Sequence, residues 1–367
     1  MQLVLDSKAL CTLADIGKVP ELANQARQLR VMCHSVLDTE KIAPYIESVD
    51  PRFAGEAQGT IHIIPAMQNF TNVKWLNFQS HNYGTRCGSW NDSDEANSVD
   101  HYEIFFAVVA AAQYCGLRLD KISGLFLDLT RQGPDNLSEA SVFRHNLSLS
   151  TLSELDVRFE LPPTSPNTTI VEAQFGSRLA ASLNSLQNLK ILSISLGPWP
   201  AVLTLPPYLF DSLAGSLYLP KLSSLALVHV VHTSDTMLRF LKKHATTIRS
   251  LKDVRCRIFG ELDESMVKQF FTGIRGLQLE HLTIELLMWH DCGIGFPGVD
   301  RLFHPEKSEG DCLDESVSLE GRSQVEEGIA AMLQCFTLEF EMESDSDLEE
   351  DEVEDEDGNE DGDGNGD

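Results

Sequence analysis

Apolar residues recur along this chain at a mixed spacing, three positions and then two. In LQNLKILSISL, residues 186–196, Leu189, Leu192 and Ile194 show it. A helix repeats its buried face every three or four residues, and a half-buried strand every two. The mixture predicts a leading leucine at a turn, followed by a short strand whose alternate side chains point inward. The same LxxLxL spacing appears at Val73, Leu76 and Phe78, at Ile122, Leu125 and Leu127, and at Leu152, Leu155 and Val157. It returns at Leu222, Leu225 and Leu227, at Leu279, Leu282 and Ile284, and at Leu333, Phe336 and Leu338. Ile248, Leu251 and Val254 form a looser copy, and Ala26, Leu29 and Val31 a weak early one.

From Leu125 to Leu282 the central positions step by 30, 37, 33, 26 and 31 residues. That is room for one strand, one helix and two turns, which is the sign of a solenoid. One such unit cannot bury its own apolar face, so neighbours must stack. The connecting segments carry helical faces: Met266, Val267, Phe270, Phe271 and Ile274 in one, Met237, Phe240, Leu241 and Ile248 in another, and Leu179, Leu183 and Leu186 in a third. Ser234 and Asp235 are the predicted N-cap residues of the second. Strand then helix, repeated, predicts a parallel sheet with helices outside.

Charge changes the picture at one end. The chain of 367 residues carries a net charge of −28, and its 42% hydrophobic content suffices for a large core. Of its 56 acidic residues, fifteen lie between Glu343 and Asp367, where there is no basic residue. That tail has too little apolar area to offset ordering, so it is predicted to be disordered. Ser344 and Ser346 each have an acid three residues on and are phosphorylation candidates. The body is acidic too, which disfavours nucleic acid and anionic membranes as partners. No apolar run approaches the length of a membrane span. The N-terminus has no basic stretch followed by an apolar one, so no signal peptide is expected. The eight cysteines contain no CxxC pair and read as thiols of a reducing compartment. A cytoplasmic or nuclear location follows, and sequons such as Asn69-Phe-Thr71 are then idle.

Four stretches invite chemistry. GIGFPG at 293–298 has glycine spacing for a nucleotide, but Pro297 and the residues after it argue against the helix such a site needs, so an exit loop is expected. Asp357 to Gly362, DGNEDG, starts like a calcium loop whose twelfth ligand would fall beyond Asp367. His229 and His232 would face opposite sides of a strand and could chelate only around a turn. His290, Asp291 and Cys292 are adjacent, a poor geometry for a nucleophile and its base. No catalytic, cofactor-binding or metal site is expected, and the protein is read as a non-enzyme.

The stretch LVLDSKALCTLADIGKVPELANQARQLRV (3–31) carries Val19-Pro20, Leu22-Ala23, Ala26, Leu29 and Val31. With the irregular repeats, it resembles the region after the F-box in fungal F-box/leucine-rich-repeat-like proteins, and the likeness extends to about residue 340. The F-box itself is missing from this chain. The fold expected is α/β: an irregular leucine-rich-repeat solenoid over residues 1–340, with an insert loop at about 291–322, a loop at 80–98 and the acidic tail at 341–367. The resemblance implies substrate recognition for ubiquitin transfer, with docking on the adaptor of a cullin-type ligase only if an F-box lies upstream.

The outward residues of each strand form the expected concave, partner-binding face. They are Trp75, Asn77 and Gln79; Gly124, Phe126 and Asp128; Glu154, Asp156 and Arg158; Ser193 and Ser195; and His281, Thr283 and Glu285. This set is mildly acidic and suits a protein partner, a basic one among them. The function expected is a non-catalytic interaction scaffold that receives a ligase substrate or another protein. The alternative is a repeat-only, acidic-tailed binding protein or chaperone for basic proteins, unrelated to ubiquitin.

Overall fold

The computed structural model describes residues 2–4, 7–33, 60–80, 108–109, 111–128, 149–160, 168–196, 207–260, 263–289, 292–304 and 316–340. The helices are α1 (Ser7–Gly17), α2 (Pro20–Gln25), α3 (Thr60–Met67), α4 (Thr168–Leu183), α5 (Tyr208–Ser216), α6 (Ser234–Lys243), α7 (Glu264–Arg275), α8 (Val299–Phe303) and α9 (Arg322–Cys335). The strands up to the middle of the chain are β1 (Gln2–Val4), β2 (Gln28–Cys33), β3 (Trp75–Ser80), β4 (Lys121–Asp128), β5 (Glu154–Glu160) and β6 (Ile191–Leu196). Then come β7 (Ser224–Val228), β8 (Val231–Thr233), β9 (Ser250–Val254), β10 (Arg257–Phe259), β11 (His281–Glu285), β12 (Met288–Trp289), β13 (Cys292–Gly295), β14 (Ser316–Glu320) and β15 (Thr337–Phe340).

Ten strands form one mixed sheet in the order β1-β2-β3-β4-β5-β6-β7-β9-β11-β14. Every pair in it is parallel except β11 with β14. Its strands follow one another in chain order. Two rows of inward side chains run across it. The first is Leu29, Leu76, Ile122, Leu155, Leu192, Leu225, Leu251, Leu282 and Leu319, all buried. The second runs Val31, Phe78, Leu125, Val157, Ile194, Leu227, Asp253, Ile284 and Val317. A third apolar column precedes the strands: Val73, Leu119, Leu152, Leu189, Leu222, Ile248 and Leu279, none of them more than 1% exposed. These are the leading residues that the spacing predicts, with one correction described below.

The units are also joined at the edge where their strands begin. There each backbone carbonyl accepts two N–H groups from the next unit. Arg27 accepts from Lys74 and Trp75, Lys74 from Asp120 and Lys121, Asp120 from Ser153 and Glu154, and Ser153 from Lys190 and Ile191. Lys190 accepts from Ser223 and Ser224, Ser223 from Arg249 and Ser250, and Arg249 from Glu280 and His281. These bonds carry the sheet's hydrogen-bond ladder out to the first residue of each strand, so the backbone groups there are met within the sheet.

The helices dock on the inward rows. On α6, Met237, Leu238, Phe240 and Leu241 are buried, and Lys242 and Lys243 sit at the negative end of the helix dipole. Its N-cap is Thr233, whose hydroxyl accepts the Thr236 N–H; Ser234 and Asp235, predicted for that role, occupy the first turn instead. Ile248, predicted on this helical face, comes after the helix, as the leading residue of the next strand. On α7, Val267, Phe270, Phe271 and Ile274 are buried, and Asp263 caps it. Gly176 of α4 explains a tight helix crossing: a Cβ there would stand 2.4 Å from the Leu209 carbonyl oxygen of α5. Pro20 opens α2 at its first position, where a proline has no helical N–H to lose.

Four predicted features differ. The repeat phase at β4 is shifted by three: Leu119 leads, Ile122 pairs with Leu76 and Leu155, and Leu125 pairs with Val157. A β-bulge between Ile122 and Leu125 causes this. Gly124 sits in it with φ +66°, and its Cβ position lies 2.2 Å from the Phe78 carbonyl oxygen, so only glycine fits. Second, Leu333, Phe336 and Leu338 are not a unit of the large sheet; Leu333 ends up on α9, and Leu338 on β15 of a second sheet. Third, the stretch predicted as an insert loop contains β13, α8 and β14, the last closing the large sheet antiparallel to β11. Residues 305–315 within it lie outside the described residues, as do 81–98 and 341–367. Fourth, the five-stranded second sheet, in the order β15-β13-β12-β10-β8, had no counterpart in the spacing.

That second sheet arises at repeated corners. His229, Arg255 and Leu286 follow β7, β9 and β11, and each has a left-handed backbone with φ between 50° and 57°. Each corner turns the chain out of the large sheet and into β8, β10 or β12. The corners are cross-linked: the His229 N–H donates to the Val254 carbonyl, and the Arg255 N–H to that of Glu285. Non-glycine residues reach this conformation at a cost of about 1–2 kcal/mol, offset here by the bonds between stacked corners.

Candidate functional site: the outer face of the large sheet

Side chains that do not point to the helices form three outer rows. One begins Gln28, Trp75, Lys121, Glu154 and Ile191, and continues through Ser224, Ser250 and His281. The middle row joins Arg30, Asn77 and Ser123, and then Asp156, Ser193, Ala226, Lys252 and Thr283. The third aligns Arg158, Ser195, Val228, Val254 and Glu285.

Trp75, Asn77, Glu154 and Asp156 come together at one end. The Trp75 indole N–H donates to Ser123 Oγ over 2.8 Å, and the Ser123 hydroxyl donates to Asn77 Oδ1 over 3.3 Å. Lys121 Nζ lies 4.8 Å above the Trp75 ring and 2.7 Å from the Glu154 carboxylate. Asp156 Oδ2 accepts the Gly124 N–H over 3.1 Å, so this carboxylate holds the bulge. Arg158 stands in the third row beside them. Thr283 and Glu285 lie apart, on β11, with β6, β7 and β9 between. There Arg255 Nε is 4.0 Å from Glu285. Phe126 and Asp128 close β4, and their side chains lie outside the described residues, as do Ser344 and Ser346.

Among its described residues the face is not acidic, contrary to the expectation. Glu154 and Glu285 each stand beside a cation, and Lys252 and Arg30 are exposed in the middle row. Between the charged ends, Ser193, Ser195, Ser224, Ala226 and Val228 form a small, uncharged span. Lys121, Ser123, Lys252 and Arg255 escaped the sequence reading. The bulge hid the first two, because it breaks the alternation by one residue; the last two sit where the repeat copy is loosest.

The other candidate stretches take structural places. His229 is a corner residue, and His232 is wholly buried on β8. A turn does lie between them, yet among the described residues no three His, Cys, Asp or Glu side chains converge as ligands for a metal. In GIGFPG a helix does begin, at Val299 after the left-handed Gly298, but it runs only to Phe303. The expected exit loop is therefore a strand, a turn and a short helix, with Phe296 buried. His290 and Asp291 lie outside the described residues; Cys292 is buried on β13. The described cysteines are free thiols, and burial pushes Cys115 up to about 11. Burial also raises Cys256, helped by the Asp253 carboxylate beside it. Thiols held protonated in this way are poor nucleophiles. Among the described residues no helix is long and apolar enough to cross a membrane.

One feature the spacing missed is chemical. Asp253 occupies an inward position of the second row, where the register expectation had placed Val254. Its Oδ2 lies 3.7 Å from Nε2 of His232, itself between Phe210 and Phe270. The chain matches no protein-family model and no curated protein.

Proposed function

We propose that this protein is a leucine-rich-repeat solenoid that acts as an interaction scaffold, the substrate-recognition part of an F-box-type ubiquitin-ligase receptor. One observation carries the reading: strands from successive units lie side by side in chain order, so outer side chains form rows across the sheet, broken in register at the β4 bulge. A broad, regular, half-buried surface of that kind is suited to a protein ligand. The mix of Trp75, paired charges and a small uncharged span favours a folded or extended polypeptide over a small molecule. The F-box-like reading rests on the Val19-Pro20, Leu22-Ala23 phrase and the repeats behind it.

The test replaces members of the outer rows, the exposed Lys252→Glu with the half-buried Ser193→Arg and Thr283→Arg, in the full chain. Asp156 is left alone because it holds the bulge. Affinity capture with quantitative mass spectrometry from the native cell is compared with an Arg239→Glu control on α6. Loss of specific partners from the outer-face variant alone, with longer half-lives of those partners, is the expected result. An unchanged partner set would remove the outer face as the binding surface; lost partners with unchanged half-lives would remove the ligase role.

A further inference from the structure

We propose that the edge where the strands of the large sheet begin is the docking strip for this chain's own acidic C-terminal segment, residues 343–367. The chain as a whole carries −28, yet this edge inverts the sign. Among the residues that bear the column of doubly accepting carbonyls, Arg27, Lys74 and Lys190 are basic, and Arg118 and Lys221 stand two residues ahead of that column. Among the described residues, none of these five has a carboxylate within ion-pair reach. Lys121 and Arg249, on the same edge, are matched by Glu154 and Glu280. Asp120 is the further carboxylate in the column.

The rigidity of the strip comes from its hydrogen bonds. Lys74 Nζ donates to the Arg118 carbonyl, and Lys221 Nζ to Asn188 Oδ1 over 2.6 Å. Asn188 in turn donates to the Ser150 carbonyl and Asn72 to that of Asn24. The cations therefore recur at the spacing of the strands rather than wandering. With strands about 4.8 Å apart, the nine from β2 to β14 span roughly 40 Å. The occupant must be extended, strongly negative and free of basic residues. The segment 343–367 has fifteen carboxylates and no base. β15 ends at Phe340, and the 27 residues beyond it reach about 90 Å when extended, ample for the strip. A tether also keeps the segment at an effective concentration on the order of millimolar, which suits weak, screened contacts.

The inference stands whether or not the outer face binds a protein. Where it does, the two adjoin: Trp75, Lys121 and Glu154 belong to the outer row next to the strip. A docked tail then borders the partner surface.

Zero-length carbodiimide cross-linking of the full chain, read by peptide mass spectrometry, tests this. Tail carboxylates are expected to couple to Lys74, Lys190 and Lys221. Yield is expected to fall at least tenfold between about 0.01 M and 1 M salt, as the screening length shrinks from about 30 Å to about 3 Å. An equal mixture of light and heavy-isotope chains is expected to give same-isotope adducts only. The variant Lys74→Glu, Lys190→Glu, Lys221→Glu is expected to speed proteolysis of the tail. Coupling chiefly to Lys242 and Lys243 on α6, even coupling over Lys18, Lys252 and Lys268, mixed-isotope adducts, or no adducts would each overturn the proposal. The unmodified chain decides the question, so a misfolded variant does not obscure it.

Discussion

The two inward rows of the large sheet are built alike and differ at one rung. The first is aliphatic from Leu29 to Leu319. The second is apolar from Val31 to Val317 except at Asp253, which is 3% exposed. Opposite it stands His232, fully buried, with Nε2 3.7 Å from the carboxylate. That distance is too long for a hydrogen bond, and neither His232 Nε2 nor Asp253 Oδ1 has a hydrogen-bond partner among the described residues. The other end of α6 offers a contrast. His244 is equally buried, but its Nδ1–H donates to the Phe240 carbonyl over 2.9 Å, and its Nε2 accepts the Leu219 N–H over 3.1 Å. Both ring nitrogens are used, and only the neutral ring can use them so. A buried polar group that is fully bonded fixes a structure; one that is not is a weak point.

The largest expected effect comes from copying the odd rung elsewhere. Ile194→Asp puts a carboxylate in the same row two strands away, where no histidine faces it. It is expected to cost about 3–5 kcal/mol, read as a shift of the denaturation midpoint. A variant as stable as the parent would show that this row does not face a dry core.

His244 gives the next effect, through pH. Burial lowers its pKa below the usual 6.5, and the neighbouring Lys243 adds to this, against the Phe240 carbonyl bond. Below about pH 6.5 the unfolded chain takes up a proton that the folded chain refuses. Its stabilisation is therefore complete above that pH and lost as pH falls towards the folded value. The slope is up to about 1.4 kcal/mol per pH unit. His244→Gln, which cannot titrate, is expected to flatten the stability profile between pH 6.5 and 5 relative to the parent. Parallel profiles would mean that the ring is not held neutral.

The smallest effect is removal of the odd rung. Asp253→Leu restores an aliphatic row and leaves His232 between Phe210 and Phe270. A gain of about 1 kcal/mol is expected in equilibrium unfolding. A loss instead would show that the carboxylate is satisfied and structurally required.

The leading and central leucines of Leu152–Val157, Leu189–Ile194, Leu222–Leu227 and Leu279–Ile284 were all legible, because their burial follows from the alternation of a single strand. The phase of β4 was not, since Gly124 inserts a residue that alternation cannot reveal until β3 and β5 fix the register. The strand at 316–320 was passed over because SVSLE is too short to stand out from the polar residues before it. Of the outer face, Trp75, Asn77, Glu154, Asp156, Arg158, Thr283 and Glu285 were legible in the sequence, but not Lys121 and Arg255, which pair with Glu154 and Glu285.

What the sequence alone determined is therefore local: which residues of each unit turn inward, where helices carry an apolar stripe, and that the charge gathers at one end. Spacing and composition suffice for these, because burial in a strand or helix repeats with the backbone's own period. Only the tertiary structure decided the bulge, the three left-handed corners and the second sheet they feed, the antiparallel closing strand, and the meeting of Asp253 with His232. Each of those depends on a hydrogen bond or a contact between residues of different units, and no periodicity within one unit encodes its neighbour's register.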